Sequence, residues 1–272
     1  MLFDHCYQKL DTSEQYFALA DRGFSLVSDM TEHSGRQLCR FLRFEPRNPA
    51  IVSRAQYLEF IELADFEALR ATYPKGTADV VLREPGFSLA ARFRLEEVYR
   101  SNLAAFERFQ PRYSHKNYAW KQDDRSELPG WNFLEFSKPI INGMNVWCTE
   151  YEPNPDRATP QKVEPHANSA NEIRGFIWNL SSKDAAAFAL LSDSKVVDNR
   201  ISLLDGSTIF LDQTFASTDK KRTTFSAVVL GCADWDMFCR EAKPDKVIVW
   251  QNQKAALIEL GPTGWDIVVV PN

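Results

Sequence analysis

A chain of 272 residues with 44% hydrophobic and 25% charged side chains fits one large or two medium domains and is too apolar for disorder. Its net charge of −5 argues against a nucleic-acid surface, which is usually basic. No apolar run reaches the roughly 20 residues that span a bilayer, and no signal peptide or membrane partner is expected.

The five cysteines, Cys6, Cys39, Cys148, Cys232 and Cys239, are scattered, with no CxxC pair. They read as buried thiols of a reducing, cytoplasmic compartment rather than as a disulfide framework.

The opening run Leu2–Leu10 reads as a strand with His5 near its start. Asp11-Thr12-Ser13-Glu14 has the form of a capping box, and Gly23 stops the helix that follows. Strands are then expected over Phe24–Met30, Arg36–Phe44 and Gln56–Leu63. A second pass has a strand at Phe87–Phe93 and an amphipathic helix over Leu95–Phe109. Its remaining strands are Tyr113–Trp120, Trp131–Phe136 and Asn145–Glu152.

The proline-rich run from Pro153 to Pro165-His166 cannot continue a sheet or a helix, so a domain boundary is expected there. The expected domains are 1–155 and 166–272. A third pass has Ile173–Leu180, a helix capped by Ser181 or Ser182, then Val196–Leu204 and Ser207–Leu211 on either side of the hairpin dipeptide Asp205-Gly206. The fourth runs through Phe225–Leu230, a helix over Asp234–Glu241, and strands at Lys246–Gln251, Ala255–Leu260 and Trp265–Val270. The expected fold class is therefore α+β, with repeated βαβββ modules paired into open, curved mixed β-sheet barrels and the helices outside. Paired curved sheets leave a natural ligand cavity.

Three local patterns add to this order: Phe3-Asp4-His5-Cys6, Tyr57-Leu58-Glu59-Phe60-Ile61-Glu62, and Trp147-Cys148-Thr149-Glu150-Tyr151 followed by Pro165-His166-Ala167-Asn168. With them the chain resembles the vicinal-oxygen-chelate superfamily and, within it, the glyoxalase-like subgroup. The resemblance implies a divalent metal (Zn, Mn, Fe or Ni) in the N-terminal cavity, held by His5, Glu59 and Glu150. Glu59 and Glu150 would also be the catalytic acids. The second histidine of that pattern has no counterpart, because Phe87-Ser88-Leu89-Ala90 holds no imidazole.

Tyr57, Trp120, Trp147 and His166 are the candidate substrate contacts, with aromatic faces for a flat or apolar molecule and His166 at the cavity mouth. Arg36, Arg40 and Arg43 could clamp an anion or form a solvated face. His33 and His115 read as turn and helix-end residues.

Two functions stay open. One is a metal-dependent lyase, isomerase or dioxygenase acting on a small oxygenated or aromatic substrate. The other is a metal-free protein that binds a small molecule without transforming it. A small-molecule partner is expected in both, and a homodimer is compatible with either.

Overall fold

The computed structural model describes the chain except at residues 28–30, 34–36, 53–54, 64, 72–81, 92–93, 98–99, 101–105, 117–130, 152–162, 216–223 and 262–263. The first quartet of strands is β1 (Leu2–Leu10), β2 (Thr31–His33), β3 (Gln37–Phe44) and β4 (Gln56–Leu63), with the short helix α1 (Glu14–Phe17) after β1. Helix α2 (Phe66–Ala71) leads to the second quartet, β5 (Gly86–Ala90), β6 (Pro111–Lys116), β7 (Trp131–Phe136) and β8 (Asn145–Tyr151).

The third quartet is β9 (Ala170–Trp178), β10 (Val196–Val197), β11 (Arg200–Ser202) and β12 (Thr208–Leu211), with α3 (Ser182–Leu191) after β9. The fourth is β13 (Phe225–Cys232), α4 (Trp235–Ala242), β14 (Lys246–Trp250), β15 (Gln253–Ile258) and β16 (Asp266–Pro271).

The four quartets build two eight-stranded sheets with one topology, β2-β3-β4-β1-β5-β8-β7-β6 and β10-β11-β12-β9-β13-β16-β15-β14. In each quartet the first strand pairs parallel with the last. The two first strands of a sheet pair antiparallel at its centre. The expected repeated modules and open, curved sheets are thus present, and neither sheet closes into a barrel, since its end strands do not pair.

One large apolar core binds the sheets together. Phe3 and Phe87 of the first sheet meet Phe176 and Trp178 of the second, with ring centroids 4.6 Å apart for Phe3–Phe176 and 4.8 Å for Phe87–Trp178. Tilted and edge-on arrangements of this kind favour the ring quadrupoles and add to the burial energy.

Two buried hydrogen bonds reinforce the seam. Gln8 Oε1 accepts from the Trp265 amide at 3.1 Å, and Gln56 Nε2 donates to Asp205 Oδ2 at 2.5 Å. The helix caps follow local chemistry: Ser181 accepts from the Asp184 amide, and Asp234 from the Met237 amide.

Four expectations change. The helix after β1 is only Glu14–Phe17, followed by a 3-10 turn over Ala20–Arg22. Ser13 forms no side-chain cap there, and the Asp11 amide donates to Gln15 Oε1. Gly23 ends the segment at φ +74°, as expected. Residues 24–27 are not a strand: the Ser25 amide bonds to His166, and the second strand of the module is β2, which contains His33. The stretch Val196–Leu204 splits into β10 and β11, because Asp198 and Asn199 both take positive φ (+48° and +57°) and close a tight hairpin. Finally, β6 opens at Pro111, two residues before the strand expected from Tyr113. The proline-rich boundary lies mostly outside the described residues.

Candidate functional site

The face of the first sheet turned away from the shared core carries its own cluster of Tyr7, Cys39, Phe41, Ile61, Phe133 and Trp147. Strand alternation adds His5 and Lys9 from β1, Tyr57 and Glu59 from β4, and Ser88 from β5. We call this face of the sheet the cup.

A β-bulge shapes its centre. Phe3 pairs with Leu89 and His5 with Ser88, so Asp4 is an extra residue in β1. The bulge puts Asp4 and His5 on one side of a strand on which neighbours normally point to opposite sides. Asp4 Oδ2 accepts from His5 Nδ1 at 2.9 Å and from Ser88 Oγ at 3.3 Å. Ser88 Oγ in turn shares a hydrogen bond of 2.8 Å with Thr149 Oγ1. A carboxylate can only accept, so Asp4 keeps a proton on Nδ1 and turns Nε2 toward the cup.

Aromatic rings hold the imidazole from two sides. The His5 ring lies flat against Tyr57, with centroids 4.6 Å apart and planes 7° apart, and Trp147 meets it edge-on at 5.3 Å. Trp147 also packs on Tyr7 at 5.5 Å. Tyr7 lies across Gly86, where any Cβ would fall inside its ring, and its hydroxyl accepts from Asn145 Nδ2 at 3.3 Å. Gly86 thus lets the wall of the cup sit directly on the sheet.

Glu59 is 5% exposed, and its Oε2 lies 3.6 Å from His5 Nε2, longer than a hydrogen bond. Burial, and then the Glu59 charge, push the Cys39 thiol far above its usual pKa, and that thiol donates to Glu59.

The corresponding face of the second sheet holds an apolar cluster of Ile177, Val229, Trp250, Leu257, Val268 and Val270.

No family model matches the chain, and no curated protein matches it. Solved structures do. A hypothetical protein from Staphylococcus aureus superposes with a TM-score of 0.60 at 13% identity, covering 99% of this chain and 99% of that one. A catechol 2,3-dioxygenase gives 0.53 at 11% identity, covering 99% and 87%. A halotolerant catechol dioxygenase gives 0.52 at 8% identity, covering 100% and 86%. This is the vicinal-oxygen-chelate fold. At these identities the likeness speaks to architecture alone.

The vicinal-oxygen-chelate fold implies a metal centre, and the side chains of the described residues do not fit one. His5 Nε2 and Glu59 supply two donors. Ser88 stands opposite His5, where a second imidazole is needed, and its hydroxyl is spent on Thr149 and Asp4. Glu150, expected as the third ligand and as a catalytic acid, is turned away from the cup. It alternates with Trp147 and Thr149 and shares the side of the core residues Val146 and Cys148. There its Oε2 accepts from the Leu95 amide at 2.8 Å, an acid at a helix start. Among the described residues no three His, Cys, Asp or Glu side chains are grouped to hold a metal ion.

The remaining candidates divide as follows. His5, Tyr57, Glu59 and Trp147 come together. His166 is not at the cup: it is buried between Phe24 and Phe44, and its Nδ1 accepts from the Ser25 amide at 2.9 Å. Burial pushes its pKa down to about 4, opposed by the Arg43 carbonyl. Trp120 and Arg36 lie outside the described residues. Arg40 is stacked on Phe17 at 4.9 Å, away from the cup, whereas Arg43 alternates with it on β3. His115 is in β6, not at a helix end.

Asp4, Ser88 and Thr149 were not singled out from the sequence. Their one signal was the acid beside His5, and a bulge leaves no trace in composition.

Proposed function

We propose that the cup of the first sheet binds a small, planar organic molecule against Tyr57 and Trp147. His5 Nε2 accepts a hydrogen bond from it, and no metal centre held by three side chains is involved. The observation that carries this reading is the position of His5: it is clamped by Asp4 and flanked by two rings, with its acceptor nitrogen on the cup face. The catechol dioxygenases among the structural neighbours lend support, since their names specify a small planar substrate.

A preset acceptor and aromatic walls favour recognition over covalent chemistry. A second reading rests on the same nitrogen. With its tautomer fixed, Nε2 can take a proton from a bound molecule and Glu59 can lie beside the imidazolium so formed, which is the start of an isomerase or lyase reaction.

Thermal shift on the whole protein with a panel of aromatic compounds, with and without EDTA, tests the first reading. A compound at about 100 times its Kd stabilises the fold by roughly 2.7 kcal/mol. The expected result is stabilisation indifferent to EDTA and lost in Tyr57→Ala. Stabilisation that appears only with an added divalent metal, or none with any planar compound, overturns the proposal.

A further inference from the structure

Lys9 is a cation on the cup face that the site described so far leaves unused. It follows His5 and Tyr7 along β1 on the same side, so its Cα lies about 13 Å from that of His5 at the rise of an extended strand. Its Nζ sits 4.6 Å above the Tyr7 ring and donates to Gln37 Oε1 at 3.0 Å. Both partners are neutral, and among the described residues no carboxylate forms an ion pair with it. A half-buried ammonium held by an amide and a ring, with no carboxylate among the described residues in ion-pair contact, favours an anion brought from outside.

Resting on the reading above, we propose that Lys9 receives a carboxylate and that the ligand of the cup is an aromatic acid. Its ring lies on Tyr57 and Trp147, and its acid group reaches past Tyr7 to Lys9. The two polar ends of the cup are then complementary to one elongated molecule, with His5 as acceptor at one end and Lys9 as cation at the other. Glu59 pairs with Tyr7, midway between His5 and Lys9 in the strand register. Burial lowers the Lys9 pKa to about 8, against the pull of Glu59 and Cys39.

The test compares phenylacetate, 3-phenylpropionate and 4-phenylbutyrate with their methyl esters, by thermal shift and calorimetry on the intact protein at pH 7. At least one acid is expected to bind ten-fold or more tighter than its ester. Lys9→Met is expected to bring the acid down to the affinity of the ester, and Lys9→Arg to keep most of the preference. Circular dichroism of each variant separates lost binding from lost fold.

Acids and esters that bind alike, or a preference that survives Lys9→Met, overturn the assignment of Lys9 and leave the aromatic cup standing. No binding by any of the six compounds counts against both.

Discussion

Asp4 and His5 are neighbours in sequence, yet they face the same side of one strand and share a hydrogen bond of 2.9 Å, because a bulge at Asp4 cancels the normal alternation. Asp4→Asn is the sharpest probe of this pair. An amide can donate, so it no longer selects the Nδ1–H form of the ring. The expected result is a shift of the His5 imidazole nitrogens towards the other tautomer in NMR, with a loss of roughly 1–3 kcal/mol in urea unfolding as buried hydrogen bonds weaken. An unchanged nitrogen spectrum in a folded variant would show that Asp4 does not set the ring.

Gly86→Ala tests the wall rather than the acceptor. The new methyl group would occupy the place of the Tyr7 ring, so the ring must lift off β5 and surrender its bond to Asn145. Overpacking of this kind costs about 1–3 kcal/mol. Chemical denaturation should show that loss, and binding of any cup ligand should weaken with it. Wild-type stability in this variant would mean that Tyr7 has room to move.

Much of the architecture was legible in the sequence because it rests on local rules. The alternation in β3, the caps at Ser181 and Asp234 and the turn at Gly206 (φ +91°) all follow from short-range chemistry. The site was legible only where a residue type and a strand face coincided, as at His5, Tyr57, Glu59 and Trp147. Glu150 shows the limit. Its period-2 partners are known from the sequence, but which side of β8 meets the shared core depends on the second sheet, which no local pattern reveals. The bulge at Asp4 shifts the facing of every earlier residue in β1 by one, a change with no compositional signature. The split of β10 from β11 did have a signal, the Asp198-Asn199 pair, hidden inside an apolar run.

Asp205 joins the two halves through Gln56, whose amide nitrogen also reaches the Phe3 carbonyl at 3.4 Å, next to the bulge. Asp205→Ala leaves the buried Gln56 amide and the Ser207 hydroxyl without this acceptor. A cost of about 1–3 kcal/mol is expected. Because the phenylalanine core spans both sheets, unfolding should remain a single transition by fluorescence and circular dichroism. Two separated transitions would show that the halves are joined less tightly than the shared core implies.

Lys9→Met should stabilise the empty protein at pH 7 while weakening its binding of acids. Burial holds the folded pKa near 8, below the ordinary 10.5, with Glu59 and Cys39 opposing the shift. The folded state therefore binds fewer protons, so the penalty is full below pH 8 and disappears as pH rises towards 10.5. Removing the amine should gain on the order of 1 kcal/mol at pH 7, after allowance for solvent and for the lost contacts with Tyr7 and Gln37. The gain should shrink as the pH is raised. A variant less stable than wild type at pH 7, and equally so at pH 10, would show that the ammonium is comfortable where it lies.

His166 sets the acid limit. Its ring is buried between Phe24 and Phe44, and its Nδ1 must stay unprotonated to accept from the Ser25 amide. The folded pKa of about 4 lies below the ordinary 6.5, so the unfolded chain takes up the proton first. Stability is accordingly full above pH 6.5 and falls as the pH drops towards 4, by roughly 3 kcal/mol once the loss is complete. Carboxylates titrate in the same range, so the measurement must be a difference between proteins. His166→Leu keeps an apolar body between the two rings but leaves the Ser25 amide without its acceptor, so it should be less stable than wild type at pH 7. That gap, followed by urea midpoints at pH 7, 5 and 4, should narrow as wild type loses what the variant never had. Parallel curves across the range would mean that the imidazole finds a proton-tolerant position, and that the acid sensitivity of the fold lies elsewhere.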